Sequence, residues 1–245
     1  MRMLVFASRN SKELLREPAT LAFGVGFPLV VLLLLSAIQS NIPISLFEIE
    51  SLSPGIAVFG LSFFSLFAGM LIAKDRTTSF LMRLFASPLT ASDFILGYIA
   101  PLLPMAVAQS IVCFIAAFFL GLTVSANVLL AILVLLPTAA LFIGIGLLAG
   151  SVLTDKQVGG VCGALLTNVS AWLSGTWFDL NLVGSGFKSV AYVLPFAHAV
   201  DATRAALAGE YPSILPHLVW VIGYAVLILV VAIAVFSARM KSDSQ

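Results

Sequence analysis

Residues 74–97 read KDRTTSFLMRLFASPLTASDFILG and form a long polar break between two apolar runs. Three of the twelve Lys and Arg residues lie in it: Lys74, Arg76 and Arg83. Four apolar residues within it share one helical face: Phe80, Leu81, Leu84 and Phe85. Ser87-Pro88 ends this pattern, because the residue before a proline is disfavoured in a helix. The stretch therefore predicts a short amphipathic helix, and Thr90-x-x-Asp93 predicts a capping box for the next one.

The composition places this chain in the membrane. Of its 245 residues, 61% are hydrophobic and 9% are charged, with a mean hydropathy of +1.14. Soluble domains carry about 25% charged residues. We therefore predict an all-α integral membrane protein. The formal net charge of +1 gives no general attraction to nucleic acid, and Cys113 and Cys162 lie in apolar runs and indicate no disulfide framework.

Six apolar runs are long enough to cross a bilayer, which takes about 20 residues per helix. The predicted spans are Ala19–Ile38, Pro54–Ala73, Gly97–Gly121, Asn127–Leu153, Val158–Trp177 and Pro212–Ser237. Residues 1–245 then form a single transmembrane domain.

Residues 1–18 predict an amphipathic helix at the membrane surface, with Leu4, Ala7, Leu14 and Leu15 on one stripe, although a solvated basic tail is the alternative. Pro28 and Pro137 predict kinks in spans one and four.

Basic residues set the predicted orientation. The N-terminus, the loop at 74–96, the loop at 154–157 and the C-terminal tail hold 4, 3, 1 and 2 Lys and Arg residues, and the opposite side holds Lys188 and Arg204. Cytoplasmic loops are enriched in Lys and Arg. Both termini are therefore predicted to be cytoplasmic, in a multi-pass protein of the cell (inner or plasma) membrane.

The segment 178–211 is predicted to be a re-entrant or interfacial piece on the outer side. Within it, Pro195 begins and Gly209 ends a helix that carries His198, Asp201 and Arg204 on one side. Asp201 and Arg204 are spaced to form an ion pair. A His-Asp pair can also serve catalysis or bind metal, but no nucleophile or third ligand accompanies it. A structural ion pair is the favoured interpretation.

Small residues recur in spans four and five. Gly146-x-x-x-Gly150 and Gly159-x-x-x-Gly163 allow helices to approach closely, either within the chain or at a homodimer seam. On span two, Phe59, Phe63 and Phe67 form a helical stripe that could line a pathway or face lipid. Span five offers Asn168, Ser170, Trp172 and Gly175 as further lining candidates.

Several chemistries are missing from the sequence. No Gly-x-x-x-x-Gly-Lys-Ser/Thr motif occurs, so we expect no ATP hydrolysis by this chain, and no metal-binding motif is present. The six predicted span interiors contain no Asp, Glu, Lys or Arg. Ion-coupled carriers usually keep such a residue near mid-membrane. If the protein is coupled to an energy source, the absence predicts that the energy comes from a partner outside the bilayer.

The stretch from Asp75 to Gly97 resembles the cytoplasmic loop of type-2 ABC transporter permeases. The resemblance rests on Asp75-Arg76, Phe80-Leu81, Leu84, Ser87-Pro88-Leu89 and Gly97. Leu194-Pro195-Phe196, Asp201-x-x-Arg204 and Leu207-x-Gly209 resemble the family's segment before the last span. Thr77, Ser79 and Tyr98 depart from the pattern, which usually has Glu, Gly and Lys there. The resemblance implies that a coupling helix contacts an ATPase through Asp75, Arg76, Phe80, Leu81, Leu84, Phe85 and Pro88.

The same resemblance implies a function. It implies the membrane subunit of an ABC exporter, such as a multidrug efflux system, for a hydrophobic or amphipathic substrate: a drug, a lipid-linked molecule or a peptide. Two permease chains, identical or sister types, would pair with two cytosolic ATPase subunits, which hold ATP and Mg²⁺, and this chain itself needs no cofactor. The alternative is a non-transporting membrane scaffold or immunity-type protein that sequesters a ligand or partner.

Overall fold

The computed structural model describes residues 2–77 and 90–243, and its elements in these ranges are helices. Their bounds are α1 Arg2–Arg16, α2 Pro18–Gln39, α3 Ile49–Thr77, α4 Ala91–Phe119, α5 Asn127–Val152, α6 155–173, α7 Ser185–Val193, α8 Pro195–Ala208 and α9 Tyr211–Asp243. A short 3₁₀ turn, Leu180–Leu182, precedes α7. The prediction of an all-helical protein is confirmed for these ranges.

Five of these helices are long and apolar enough to span a membrane: α2, α3, α4, α5 and α9. The fifth predicted span corresponds to α6, which ends at Leu173 rather than at Trp177. It consists of an α-helical turn Asp155–Val158, a π-helical segment Gly159–Leu166 and a final α-helix Thr167–Leu173. Its passage across the membrane, and with it the count of six spans, stays a prediction.

Helix α3 is the centre of the bundle. Of its most apolar stretch, 89% is buried inside the protein, against 18% for α2 and 17% for α9. Its main neighbour is α5, and glycines bring the two backbones together. A Cβ atom at Gly146 would overlap the carbonyl oxygen of Ser65, and one at Gly150 would overlap that of Gly69. The first small-residue motif therefore serves packing within the chain.

Proline accounts for the irregular start of α2. Pro28 has no backbone N–H to offer the preceding turn, and the residues just before it, Ala22–Gly26, form a π-helical segment. Such wider turns accommodate a break in the regular hydrogen-bond ladder. Helix α5 continues without interruption through Pro137, so the kink there stays a prediction.

Local capping signals were accurate. The Thr90 hydroxyl accepts a hydrogen bond from the Asp93 N–H at 3.2 Å, and the Asp93 carboxylate accepts one from the Thr90 N–H at 3.0 Å. This confirms the predicted capping box. Pro195 lies in the first turn of α8, and Gly209 ends the helix with a φ of +77°. That left-handed conformation favours glycine.

The amphipathic N-terminal helix is present as α1, but one part of its predicted apolar stripe is wrong. Leu14 is buried, whereas Leu15 is 58% exposed. The buried face instead includes Phe6 and Asn10, which pack on α4. A Cβ atom at Gly97 would lie 2.5 Å from the Phe6 ring, so glycine is what allows this contact. The predicted position of α1 at a membrane surface remains untested.

The bundle has two distinct ends. The α1 end holds α1, the last turn of α3, the start of α4 and the C-terminal end of α5. The ring of Phe236 lies 5.7 Å from that of Phe94, which places the C-terminal part of α9 there as well. The α8 end holds α7, α8 and the start of α9, and Tyr211 and Asn127 are hydrogen-bonded there.

Candidate functional site

At the α1 end, a buried carboxylate joins three helices. Asp75, in the last turn of α3, is 2% exposed. Its Oδ2 atom accepts a hydrogen bond from Arg9 Nη1 of α1 at 2.8 Å and one from the Tyr98 hydroxyl of α4 at 2.9 Å. Burial lowers the pKa of the Arg9 guanidinium, but its hydrogen bond to Asp75 and the Asp75 charge outweigh this effect and leave the pKa raised. Arg9 therefore stays charged in this junction.

The neighbouring arginine fixes the same end of α3 to α5. Arg76 Nη1 donates to the carbonyl oxygens of Gly150 at 2.9 Å and Leu153 at 3.1 Å. These are among the last carbonyl groups of α5, which have no partner within their own helix. A cation is also favoured at a helix C-terminus. Lys74 adds a 2.9 Å ion pair to Glu17, just after α1.

Two of the residues predicted to couple to an ATPase make these contacts. Asp75 and Arg76 hold α3 against α1, α4 and α5. The other predicted coupling residues fall outside the described ranges: Phe80, Leu81, Leu84, Phe85 and Pro88. Both flanks of residues 78–89 lie at the α1 end, because Thr77 ends α3 and Ala91 begins α4.

The predicted pathway-lining stripe of α3 is covered by other parts of the chain. Phe59, Phe63 and Phe67 are 7%, 5% and 6% exposed. Phe27 of α2 lies with its ring centroid 6.0 Å from that of Phe59 and 5.7 Å from that of Phe63. Trp177, after α6, packs on Phe59 at 5.1 Å. In a single chain these rings thus form the contact between α3 and its neighbours, and lining of a pathway stays a prediction.

The four candidates on the fifth predicted span divide into two pairs. Asn168 is exposed and Trp172 is 54% exposed. Ser170 is buried, and so is Gly175, whose φ is +70°. The outward surface of α6 therefore carries Asn168 and Trp172.

At the α8 end, a polar cavity of about 540 Å³ opens between the loop before α3, the residues after α6, and helices α7 and α8. Charged side chains line it from several directions: Glu48, Asp179, Lys188, Asp201 and Arg204. This cavity contains two of the three residues predicted on the outer helix.

Arg204 ties the walls of this cavity together. Its Nε donates to the carbonyl oxygen of Ser51 at 3.1 Å, and its Nη2 donates to that of Gly175 at 3.0 Å. The predicted pairing with Asp201 is present but long, at 3.9 Å. Burial lowers the pKa of Arg204, although a guanidinium stays charged in proteins. Asp201 is held more closely by the Tyr192 hydroxyl, at 2.6 Å.

The sequence of residues 2–208 matches the family described as ABC-2 type transporter. The chain belongs to that family. A protein of Porphyra purpurea named "Putative transport permease ycf38" is 32% identical over 201 residues, covering 77% of this chain and 68% of the relative. A protein of the same name from Pyropia yezoensis is 27% identical over 201 residues, with the same coverage. The chain is thus a multi-pass membrane protein of the transport permease class.

The sequence of this ABC-2 type permease did not reveal which helices are connected by hydrogen bonds between their polar side chains. The family match ends at Ala208, before α9. Yet His217 of α9 is the partner of His198, with their Nδ1 atoms 2.8 Å apart. The chain contains two histidines in all, and this small number was the available hint in the sequence that they could form a pair. Tyr98, noted as a departure from the loop pattern, donates to Asp75.

Proposed function

We propose that this permease is the membrane half of an ATP-driven exporter. Two such chains, identical or of sister types, assemble with two cytosolic ATPase subunits, which bind ATP and Mg²⁺. The cargo is hydrophobic or amphipathic, such as a drug, a lipid-linked molecule or a peptide. This proposal extends the family membership to a direction, a partner and a class of substrate.

One observation carries the proposal: the α1 end gathers most of the described basic residues and both flanks of the loop at 78–89. The basic residues described there are Arg9, Lys12, Arg16, Lys74, Arg76, Lys156 and Arg239. By the enrichment of Lys and Arg in cytoplasmic loops, this end faces the cytoplasm. An ATPase subunit is cytosolic, so the loop is on the side where it can be contacted.

The contacts of Asp75 and Arg76 support a route for mechanical coupling. A push on residues 78–89 acts on the last turn of α3, which is bonded to α1, α4 and α5. The four helices then move as a group at this end. ATP binding changes the conformation only if it favours one packing of the helices over another.

Exposed apolar side chains support pairing with a second permease chain. On α2 they are Phe23, Phe27, Val30, Leu33 and Leu34, and on α6 they are Val161, Leu165 and Trp172. Both helices flank α3, since Phe27 of α2 packs on Phe59 and a Cβ atom at Gly163 of α6 would contact the Leu66 side chain. We place the pathway between two such faces, with Asn168 as a polar group along it.

The decisive experiment is purification of the tagged chain from its native membrane, with identification of co-purifying proteins. Leu84→Glu puts a charge on the predicted apolar face of the loop helix and should abolish recovery of an ATPase subunit. Ser79→Glu puts the same charge on the opposite face of that predicted helix and serves as the control. Recovery of the ATPase with Leu84→Glu would contradict the docking role.

The scaffold alternative predicts a different result of the same purification. A chain that is recovered alone, or with a protein that is not an ATPase, would favour a scaffold or immunity-type function. An ATPase recovered with the wild type and with Ser79→Glu would favour the exporter. Nucleotide-dependent movement of a fluorescent amphiphile in reconstituted vesicles then tests transport itself.

A further inference from the structure

Two imidazole rings join α8 to α9. His198 Nδ1 lies 2.8 Å from His217 Nδ1, and His198 Nε2 lies 3.0 Å from the carbonyl oxygen of Tyr192. A carbonyl only accepts hydrogen bonds, so His198 carries its proton on Nε2 and presents a lone pair at Nδ1. His217 must then donate from its own Nδ1. The bond between the rings therefore depends on at least one of the two Nδ1 atoms being unprotonated.

The same part of α9 also holds the joint between α7 and α8. The carbonyl oxygen of Val193, the last residue of α7, accepts hydrogen bonds from Tyr224 Oη at 2.8 Å and Trp220 Nε1 at 3.3 Å. Trp220 also packs on His198, with ring centroids 5.3 Å apart. The α7–α8 joint is thus fastened to α9 by three neighbouring side chains of that helix.

This joint forms part of the wall of the cavity at the α8 end. Lys188 and Tyr192 of α7 and Asp201 and Arg204 of α8 line the cavity. Tyr192 links the cavity wall to the imidazole pair. Its hydroxyl donates to Asp201, and its carbonyl oxygen accepts a hydrogen bond from His198. A movement of α7 away from α9 would therefore change the width of the cavity.

Protonation affects the imidazole pair in two steps. One added proton leaves one donor and one acceptor between the Nδ1 atoms, so the hydrogen bond persists. A second proton makes both Nδ1 atoms donors and both rings cations, so the bond becomes a repulsion between like charges. The loss therefore requires acid, in the range where imidazoles change charge, about pH 5 to 8.

Other titratable groups surround the pair. Asp201 and Arg204 face it from α8, Tyr192 and Lys188 belong to α7, and Glu210 lies with His217 around a smaller cavity. Burial lowers the pKa of His198, and the hydrogen bond to the Tyr192 carbonyl offsets this only in part. Because the pKa of His198 is lowered while the imidazole pair is formed, the paired arrangement is fully favoured when the pH is above the ordinary pKa of imidazole. Protonation of His198 as the pH falls through the lowered value removes this preference, and the hydrogen bond itself is lost when both rings are protonated.

We propose that His198 and His217 form an acid-sensitive latch, which holds α8 to α9 at neutral pH and, when both rings are protonated, loosens the attachment of α7 and α8 to α9. On the orientation proposed above, this latch faces the exterior, and external acid changes the width of the cavity. The side of action rests on the proposed function, whereas the latch itself does not.

The test measures the distance between α7 and α9 in the full chain, reconstituted in nanodiscs. Spin labels are placed at Val190 and Val219, which are 57% and 59% exposed, after the native Cys113 and Cys162 are replaced by alanine. We expect a longer label distance at about pH 5 than at about pH 7.5. His217→Gln still donates to His198 but cannot be charged, so its distance should not change with pH. Glu210→Gln should keep the wild-type response.

The possible outcomes distinguish failure of the latch from failure of the proposed exporter function. A wild-type distance that is unchanged by acid overturns the latch without reference to any variant. An equal lengthening in His217→Gln also overturns it, because another group would then be titrating. In right-side-out membrane vesicles with acid on one side, a response to acid on the inner, cytoplasmic face alone would keep the latch and contradict the proposed orientation.

Discussion

Arg9 Nη1 lies 2.8 Å from Asp75 Oδ2, so the N-terminal helix is tied by an ion pair to the last turn of the most buried helix. The side chain of Asp75 is 3% exposed and that of Arg9 is 39% exposed. The carboxylate is thus the partner that depends on the contact, because it has little access to water.

Arg9→Gln should destabilise the protein, because it removes a cationic partner from a buried carboxylate. We expect the free energy of unfolding to fall by about 2 kcal/mol, less than for a fully buried pair because Arg9 is partly solvated. Thermal unfolding in mild detergent measures the change. Lys12→Gln removes an exposed charge from the same helix and should have little effect. Equal loss of stability in the two variants would contradict the role of Arg9.

Gly150→Ala should also destabilise the protein, because the added Cβ meets the backbone of Gly69, which cannot move like a side chain. Overpacking of this kind costs about 1–3 kcal/mol. Gly159→Ala is the matched control, since no described atom lies within 4 Å of its added Cβ. That variant should be neutral or slightly stabilising, because alanine favours helices. A drop in unfolding temperature for Gly159→Ala as large as for Gly150→Ala would argue against the close approach of α3 and α5.

Gln109→Met should stabilise the protein. Gln109 is buried in α4, and its Oε1 atom has no hydrogen-bond partner among the described residues. Its Nε2 atom donates to Cys113 Sγ at 3.2 Å, a weak acceptor. Methionine has a similar length and no unsatisfied polar atom, so we expect a gain of about 1 kcal/mol. A clear loss of stability in thermal unfolding would indicate that the amide has a partner in the membrane-embedded protein.

Arg204→Lys should weaken the α8 end although it keeps the charge. The guanidinium donates to the carbonyl oxygens of Ser51 and Gly175 from two different nitrogens. A single ammonium group does not reproduce this planar geometry, and we expect a loss of about 2 kcal/mol. Lys188→Gln, which removes a charge from an exposed contact in the same cavity, should cost less. Hydrogen exchange at residues 174–184 would show whether the loosening is local.

The sequence predicted features that depend on neighbours along the chain. The capping box of Thr90 and Asp93 and the ends of α8 at Pro195 and Gly209 follow from local hydrogen bonding and from backbone preferences. The glycine spacing in α5 likewise indicated a close helix contact. Periodicity alone misplaced Leu15, because the face of α1 that is buried depends on where α4 presents Gly97.

Contacts between distant elements were not predictable in this way. His198 and His217 meet because α8 and α9 pack side by side, and Arg204 finds its acceptors in the first turn of α3 and after α6. A sequence pattern gives the face on which a residue lies, but not which carbonyl groups or rings face it. Two of the predicted coupling residues, Asp75 and Arg76, turned out to be tied to neighbouring helices.

The glycine contact between α3 and α5 also constrains biosynthesis. Helix α3 leaves the ribosome well before α5, yet its backbone lies directly against Gly146 and Gly150. Its core partner is therefore missing while Ile49–Thr77 enters the bilayer, and only α2 and then α4 are available to shield it. The nascent chain must hold α3 in a provisional arrangement and let α5 displace lipid or another helix from it. Premature termination before Asn127 would thus leave a fragment whose central helix has an unfilled groove.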